Sequence, residues 1–298
     1  MAECLRVAVL GPGGVGGLLA ALLAREGNSV EVLAGESTVQ EIAERGLRVE
    51  SRLFGDFQVS VDSATRLDRA VDACLIAVKS TQLRDALERV PAEAIGEALV
   101  VPFLNGIEHM ELLRTVYPPS SVAAATVRVE TARVAPGHIR HGSPFALVEI
   151  AASADNRERV ERIAVQLTSA GLSVSVRDDE TAMLWDKLSL LAPLALLTTH
   201  ERANLGVIRR RRRADLLAVI SEVAAVAAAD GASVDPEAVA RLLDAAPETM
   251  ESSMQRDQAA GRPLEIDAIG GVVIRRADRA GISVPVTARL VKELGGRA

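Results

Sequence analysis

Near the N-terminus, Gly11-Pro12-Gly13-Gly14-Val15-Gly16-Gly17 has the spacing G-x-G-x-x-G, and the chemistry open to it is to hold a diphosphate. Gly11 lets the chain turn sharply, Gly13 leaves room for phosphate oxygens beside the backbone, and Gly16 lets a helix approach a sheet closely. The amides that open that helix face the anion with the positive end of the dipole behind them. Lys187, in Met183-Leu184-Trp185-Asp186-Lys187-Leu188 beside the single Trp, is of the type that donates a proton to a carbonyl oxygen. By position alone it reads as a surface lysine of an amphipathic helix. Glu265 and Asp267, after Gly261-Arg262-Pro263-Leu264, and Ser252-Ser253-Met254 read as helix caps, and Asn105-Gly106 as a turn. His138 and His141 lack a cysteine or carboxylate to complete a zinc set, so no metal is expected. The arginine run from Arg209 to Arg213 reads as a solvated basic helix start, because five consecutive residues cannot share one helix face.

Regular elements must position these groups. Apolar strands are expected over 6–10, 29–34, 73–78, 99–103, 122–129, 146–151 and 173–176, and helices over 16–25, 37–44, 81–89, 108–115 and 155–170. The alternation predicts an α/β sheet covered on both faces. Val78-Lys79-Ser80 and Leu104-Asn105-Gly106 fall just past strand ends, where open α/β sheets bind ligands. Beyond about Arg177 strand signals stop, and helices are expected over 180–199, 214–231, 235–244, 252–260, 266–281 and 287–294. The expected architecture is a Rossmann-type dinucleotide-binding domain over 1–177 and an all-helical domain over 178–298, with the site in the cleft between them.

Composition narrows the partners. The 298 residues are 49% hydrophobic but only 2% aromatic, with a net charge of −6. That excludes a base-stacking platform and gives no attraction to nucleic acid or anionic membrane. Cys4 and Cys74 read as buried, reduced thiols of a cytoplasmic protein. No signal peptide is expected, because the first apolar run reads as the opening strand. The longest apolar stretch, 188–199, contains Pro193 and reads as too short to cross a bilayer.

Taken in order, these pieces resemble the ketopantoate reductase (2-dehydropantoate 2-reductase) family across nearly the whole chain. They are the glycine turn, Val78-Lys79, Asn105-Gly106, Leu184-Trp185-Asp186-Lys187-Leu188, Ser252-Ser253-Met254-Gln255-Arg256-Asp257, and Gly261-Arg262-Pro263-Leu264-Glu265-Ile266-Asp267-Ala268-Ile269-Gly270-Gly271. The resemblance implies NADPH-dependent hydride transfer to a small oxo substrate, by default 2-dehydropantoate in pantothenate synthesis. It implies Lys187 as general acid with Glu265 placing it, and Asn105 and Ser253 on the substrate. Gly11, Pro12, Gly13, Gly14, Val15, Gly16, Lys79, Asn105 and Glu265 would face the cofactor. A monomer or homodimer is implied, and the Ala-rich C-terminal helices could bury a partner helix.

The chain departs from the family pattern in three places. Asparagines expected four and eight residues past the lysine are Leu191 and Ala195, and one expected three before Ser253 is Met250. These substitutions make that side of the pocket apolar and predict a less polar oxo substrate, since a buried hydroxyl without partners costs roughly 1–3 kcal/mol. An arginine expected after the second strand, for the 2′-phosphate of NADPH, is replaced by Gly35-Glu36, which predicts relaxed or NADH-leaning use. Reduction of an imine, and a regulatory NAD(P)-binding protein without catalysis, are the competing readings.

Overall fold

The computed structural model describes residues 4–296. The chain divides into two compact units: the first holds residues up to Leu104 with His109–Glu180, the second Asn105–Glu108 with the chain from Thr181 onward. The first is α/β and the second helical, the fold class expected from the alternation of patterns.

The strands of the first unit are β1 (Arg6–Leu10), β2 (Ser29–Leu33), β3 (Leu47–Ser51), β4 (Phe57–Val59), β5 (Asp62–Ala64), β6 (Ala73–Ile76), β7 (Leu99–Pro102), β8 (Ala125–Arg128), β9 (Thr131–Ala135), β10 (His138–His141), β11 (Leu147–Ala151) and β12 (Ser173–Arg177). The main sheet is parallel, in the order β5-β2-β1-β6-β7. Val7, Val9 and Leu10 of β1 are buried, as suits a central strand covered on both faces. The order reverses between β1 and β6, so the crevice outside their carboxyl ends is where such a sheet receives a ligand. One parallel bridge, Val100 to Val122, joins this sheet to a smaller one, β12-β11-β8. The helices of this unit are α1 (Gly14–Arg25), α2 (Glu36–Arg45), α3 (Leu83–Leu87), α4 (Ala92–Ile95), α5 (His109–Val116) and α6 (Arg157–Ser169).

The structure corrects the single-sheet expectation. A third sheet, β4-β3-β10-β9, packs on α1: a Cβ at Gly17 would lie 2.7 Å from Ile139 Cδ1 of β10. His138 and His141 serve this sheet. His138 Nε2 is 2.9 Å from Glu50 Oε1, while His141 is buried between Ser51 Oγ (2.8 Å) and Ser143 Oγ (3.0 Å). Burial lowers the pKa of His141, against a smaller opposing pull from the Phe145 carbonyl and Glu130.

The second unit contains α7 (Glu180–Glu201, whose first residue belongs to the first unit), α8 (Leu205–Arg211), α9 (Arg213–Ala229), α10 (Pro236–Ala245), α11 (Ser253–Ala259), a π-turn at Asp267–Gly271, α12 (Val272–Ala280) and α13 (Pro285–Gly295). Asp235 caps α10 by accepting from Glu237 N at 2.9 Å, with Pro236 in the first turn, and Gly281 ends α12 in the left-handed region. The run 188–199, read as too short for a bilayer, lies inside the 22-residue α7, which is long and apolar enough to reach across one. Its apolar window is 61% buried, as in the core helix of a bundle.

Candidate functional site

In the first unit the glycine turn has the geometry a diphosphate needs. Gly11 has φ +88°, and a Cβ there would lie 2.5 Å from Val78 Cγ1. Its N–H donates to Leu33 O at 3.0 Å, so the turn is wedged between the end of β2 and the segment that follows β6. A Cβ at Gly16 would lie 2.2 Å from Gly11 O and 3.0 Å from Ala77 Cβ, which only glycine avoids. Gly13 differs: a Cβ there would meet nothing within 4 Å. Gly13 is the extended N-cap of α1, without side-chain capping and with no acid in the first turn. Open space, helix-start amides and no competing carboxylate fit a dinucleotide diphosphate beside Gly13-Gly14-Val15. Pro12 is buried behind the turn, and Lys79 is half-buried one residue past Val78. Gly14 shows a contact that the spacing alone does not reveal: its Cβ would lie 2.7 Å from Thr131 Oγ1, so the start of β9 also borders this turn.

At the end of β2, Gly35 caps α2 and Glu36 opens it on the surface. Glu36 borders an open cleft of about 670 Å³ that is also lined by Ser37, Thr65, Arg66, Asp85, Glu88 and Arg89. Arg89 Nη1 donates to Ala34 O (3.0 Å) and Thr65 O (2.9 Å), and Nη2 would lie 4.0 Å from a Cβ on Gly35. Guanidinium groups therefore border the β2 end from outside the β2–α2 junction. Sequence position gave no sign of this, because Arg66 and Arg89 lie dozens of residues further on.

In the second unit the structure brings Asn105 and Glu265 together. Asn105 Nδ2 donates to Glu265 Oε2 at 3.0 Å, and the glutamate is only 4% exposed. A carboxylate this buried requires such partners. Lys187 is half-buried on α7, which is anchored two residues earlier: Trp185 Nε1 donates to Asp230 Oδ2 at 2.9 Å, and Arg276 Nη1 holds Asp230 Oδ1 at 3.1 Å. Ser253 is the first residue of α11, behind the cap Ser252 that accepts from Gln255 N at 3.0 Å. Thr198 Oγ1 of α7 is hydrogen-bonded to Ser252 Oγ at 2.9 Å, so α7 also fixes the start of the serine helix. Lys187, Leu191 and Thr198 stand at helical intervals that share one side of α7. Leu191 and Met250 are half-buried and Ala195 is buried.

The arginine run is not simply the solvated helix start expected. Arg209 Nη2 donates to the carbonyls of Leu243 and Ala246 at the end of α10. Arg210 pairs with Glu248, Arg212 with Glu201 and Asp215, and Arg213 makes two bonds to Asp244 at 2.5 and 2.8 Å. Arg209–Arg211 close α8, whose existence the sequence pattern missed, and Arg213 opens α9. The thiols also differ from expectation. Cys74 is buried, which pushes its pKa up to about 12, but Cys4 is exposed, and both are free.

The family described as Ketopantoate reductase PanE/ApbA matches residues 7–153, and its C-terminal part matches residues 179–298. The chain is 33% identical to a 2-dehydropantoate 2-reductase of Mycobacterium tuberculosis (strain H37Rv), over 96% of this chain and 95% of that one. It is 27% identical to a 2-dehydropantoate 2-reductase of Halobacterium salinarum, over 95% of both. Among solved structures, a PanE/ApbA family ketopantoate reductase from Ralstonia eutropha JMP134 superposes with a TM-score of 0.86 at 32% identity, covering 96% of both chains. A D-mandelate dehydrogenase solved with NADH and anilino(oxo)acetate shares the fold, with a TM-score of 0.90 at 21% identity over 98% of this chain and 97% of that one.

Proposed function

The chain belongs to the ketopantoate reductase family of NAD(P)-dependent oxidoreductases, and from that membership we propose that it reduces a 2-oxo acid to the 2-hydroxy acid with Lys187 as proton donor. The observation that carries this reading is the Asn105–Glu265 contact, which joins residues 160 apart in sequence within the unit that bears Lys187. Bound NAD(P)H supplies a hydride to the carbonyl carbon. Lys187 Nζ gives a proton to the oxygen as negative charge develops there and regains one from water. The net change is NAD(P)H, one proton and a 2-oxo acid becoming NAD(P)+ and a 2-hydroxy acid. A fixed ammonium favours the developing alkoxide more than the neutral carbonyl, so its effect falls on the transition state. Glu265, held by Asn105, orients the lysine, while Asn105 and Ser253 hydrogen-bond the substrate. Gly11, Pro12, Gly13, Gly14, Val15, Gly16 and Lys79 hold the dinucleotide.

Leu191, Ala195 and Met250 offer hydrocarbon where the family pattern has amides, so the preferred 2-oxo acid has an apolar side chain. Glu36 can accept from a free ribose 2′-hydroxyl, and the cleft it lines also carries Arg66 and Arg89 among Asp85 and Glu88, so neither nicotinamide cofactor is strongly favoured. The enzyme works in the cytoplasm with Cys4 and Cys74 unpaired.

The test compares 2-dehydropantoate with trimethylpyruvate, its analogue lacking the hydroxyl, using NADH and NADPH in turn. The expected result is a kcat/KM at least about tenfold higher for the analogue, because the pocket leaves the hydroxyl unpaired. The two cofactors should differ by less than about tenfold, and Glu36→Gln should shift the ratio toward NADPH. Preference for 2-dehydropantoate with NADPH alone would return the chain to the family default. Turnover of neither acid would favour the regulatory reading.

A further inference from the structure

Asn105 and Glu265 lie on short irregular segments, which need something to hold their register. The segment carrying Asn105 runs against the π-turn that follows Glu265: Gly106 has φ +84°, and a Cβ there would lie 2.3 Å from Ala268 O. Backbone thus lies on backbone one residue from Asn105 and three from Glu265. π-turns of this kind recur at functional sites.

Arg275, one turn into α12, spans the two segments. Its Nε lies 3.1 Å from each oxygen of Glu108, and its Nη2 donates to Glu108 Oε2 at 2.6 Å. Nη1 donates to Asp267 Oδ1 at 2.6 Å, and Nη2 lies 3.2 Å from Asp267 Oδ2. Glu108 comes three residues after Asn105, and Asp267 two after Glu265. Gly271 makes room for this arrangement, since a Cβ there would lie 2.5 Å from Asp267 Oδ1 and 3.1 Å from Arg275 Nη1.

We propose that Arg275 is a positioning residue of the reductase: by bracketing Glu108 and Asp267 it sets the separation of the two segments, and with it the Asn105–Glu265 contact. This rests on the reading of Asn105 and Glu265 as site residues. A planar fork is required, because five donors in fixed geometry can serve two carboxylates at once, whereas an ammonium serves one point. The two carboxylates hold the guanidinium pKa above its ordinary value, so Arg275 stays charged and is not a proton donor. The two arms are unequal. Glu108 is 25% exposed and Asp267 81%, so solvent screens the Asp267 arm and the Glu108 arm carries most of the restraint.

The test uses the full chain and the variants Arg275→Met, Arg275→Lys, Asn105→Ala and the Asn105→Ala/Arg275→Met double. Turnover of trimethylpyruvate, NAD(P)H affinity, thermal midpoint and hydrogen exchange of the Asn105 side-chain amide are measured on each. Arg275→Met should lower kcat by roughly 10- to 100-fold, the scale of an ångström-level misplacement, with a much smaller change in cofactor affinity because the glycine turn is untouched. The Asn105 amide should lose its protection. Arg275→Lys should recover the thermal midpoint but only part of kcat. The double variant should be no slower than Asn105→Ala, because Arg275 acts through that residue. As a control, Arg213→Met breaks a comparable two-pronged pair with Asp244 and should lower stability while leaving kcat unchanged. Arg275→Met behaving like Arg213→Met, with kcat and Asn105 protection retained, would overturn the proposal. If the wild type reduces no 2-oxo acid, the functional reading fails, and the amide exchange still decides whether Arg275 sets the contact.

Discussion

Lys187→Ala is expected to lower kcat on 2-oxo acids by about three orders of magnitude while NAD(P)H affinity stays within about twofold. General-acid assistance contributes on the order of 10²–10⁴, and loss of a fixed cation beside the developing alkoxide adds to it. The two effects vanish together because one ammonium supplies both. Cofactor affinity is spared because the diphosphate is held by the glycine turn, which the substitution leaves intact. Folding is spared because α7 is anchored elsewhere, by Trp185 on Asp230 and by Thr198 on Ser252. Lys187→Arg separates charge from proton: guanidinium keeps the cation but does not release a proton in proteins, so it should rescue at most a small part of the loss. Steady-state kinetics with both cofactors, alongside equilibrium cofactor titration, check the split. An alanine variant that keeps more than about a tenth of wild-type kcat would remove Lys187 from the proton-donor role.

Gly13→Val is the second large effect, and it falls on binding. A Cβ at Gly13 meets open space, so the variant should fold, with a thermal midpoint lowered only slightly by the poorer N-cap. That same space is where the diphosphate belongs, and a branched side chain would fill it. The expected loss of NAD(P)H affinity is on the order of 100-fold, about 2.7 kcal/mol. Gly16→Val is the matched contrast. Its Cβ would lie 2.2 Å from Gly11 O, a backbone atom that cannot move without opening the turn, so this variant should lose the fold itself. Fluorescence titration and thermal unfolding of both variants check the pair. If Gly13→Val bound NAD(P)H normally, the diphosphate would have to sit elsewhere.

What the sequence made legible follows from pattern length. Strands such as Arg6–Leu10 and Leu99–Pro102 are continuous apolar runs because both their faces are covered, and they stand out without any partner in view. The strands of the α1-facing sheet do not. Leu47–Ser51 alternates, His138–His141 buries Ile139 and His141, and Thr131–Ala135 is an exposed edge with no apolar rhythm. Such short strands are defined by their pairing, which no local window contains. The helical half was legible in outline, because caps such as Asp235-Pro236 and stops such as Gly281 are local chemistry. The π-turn was not, since a helix pattern over 266–281 runs through it, and its contact with the segment at Gly106 lies outside any local window.

The site shows the same division. Gly11, Gly13 and Gly16 declare themselves by spacing, and Lys187, Glu265, Asn105 and Ser253 by resemblance. Arg275 and Glu108 declare themselves by neither, because two ordinary charged residues 167 apart in sequence become a bracket only when folded. Arg89 likewise reaches the end of β2 across 55 residues. The arginine run is mixed: Arg210 and Arg211 are exposed and Arg213 opens a helix as expected, while Arg209, Arg212 and Arg213 hold α8, α9 and α10 by charge-assisted hydrogen bonds.

In the proposed reaction the chain moves a hydride from a nicotinamide cofactor to the carbonyl carbon of a 2-oxo acid, with Lys187 completing the reduction. The most direct measurement is transfer of deuterium from NAD(P)H labelled at C4 of the nicotinamide. Wild-type protein and trimethylpyruvate should yield a single enantiomer of the 2-hydroxy acid carrying one deuterium at the former carbonyl carbon, and Lys187→Ala should yield almost none in the same time. Cofactor oxidation without deuterium at that carbon, or no product from any 2-oxo acid while NAD(P)H binds normally, would contradict the account.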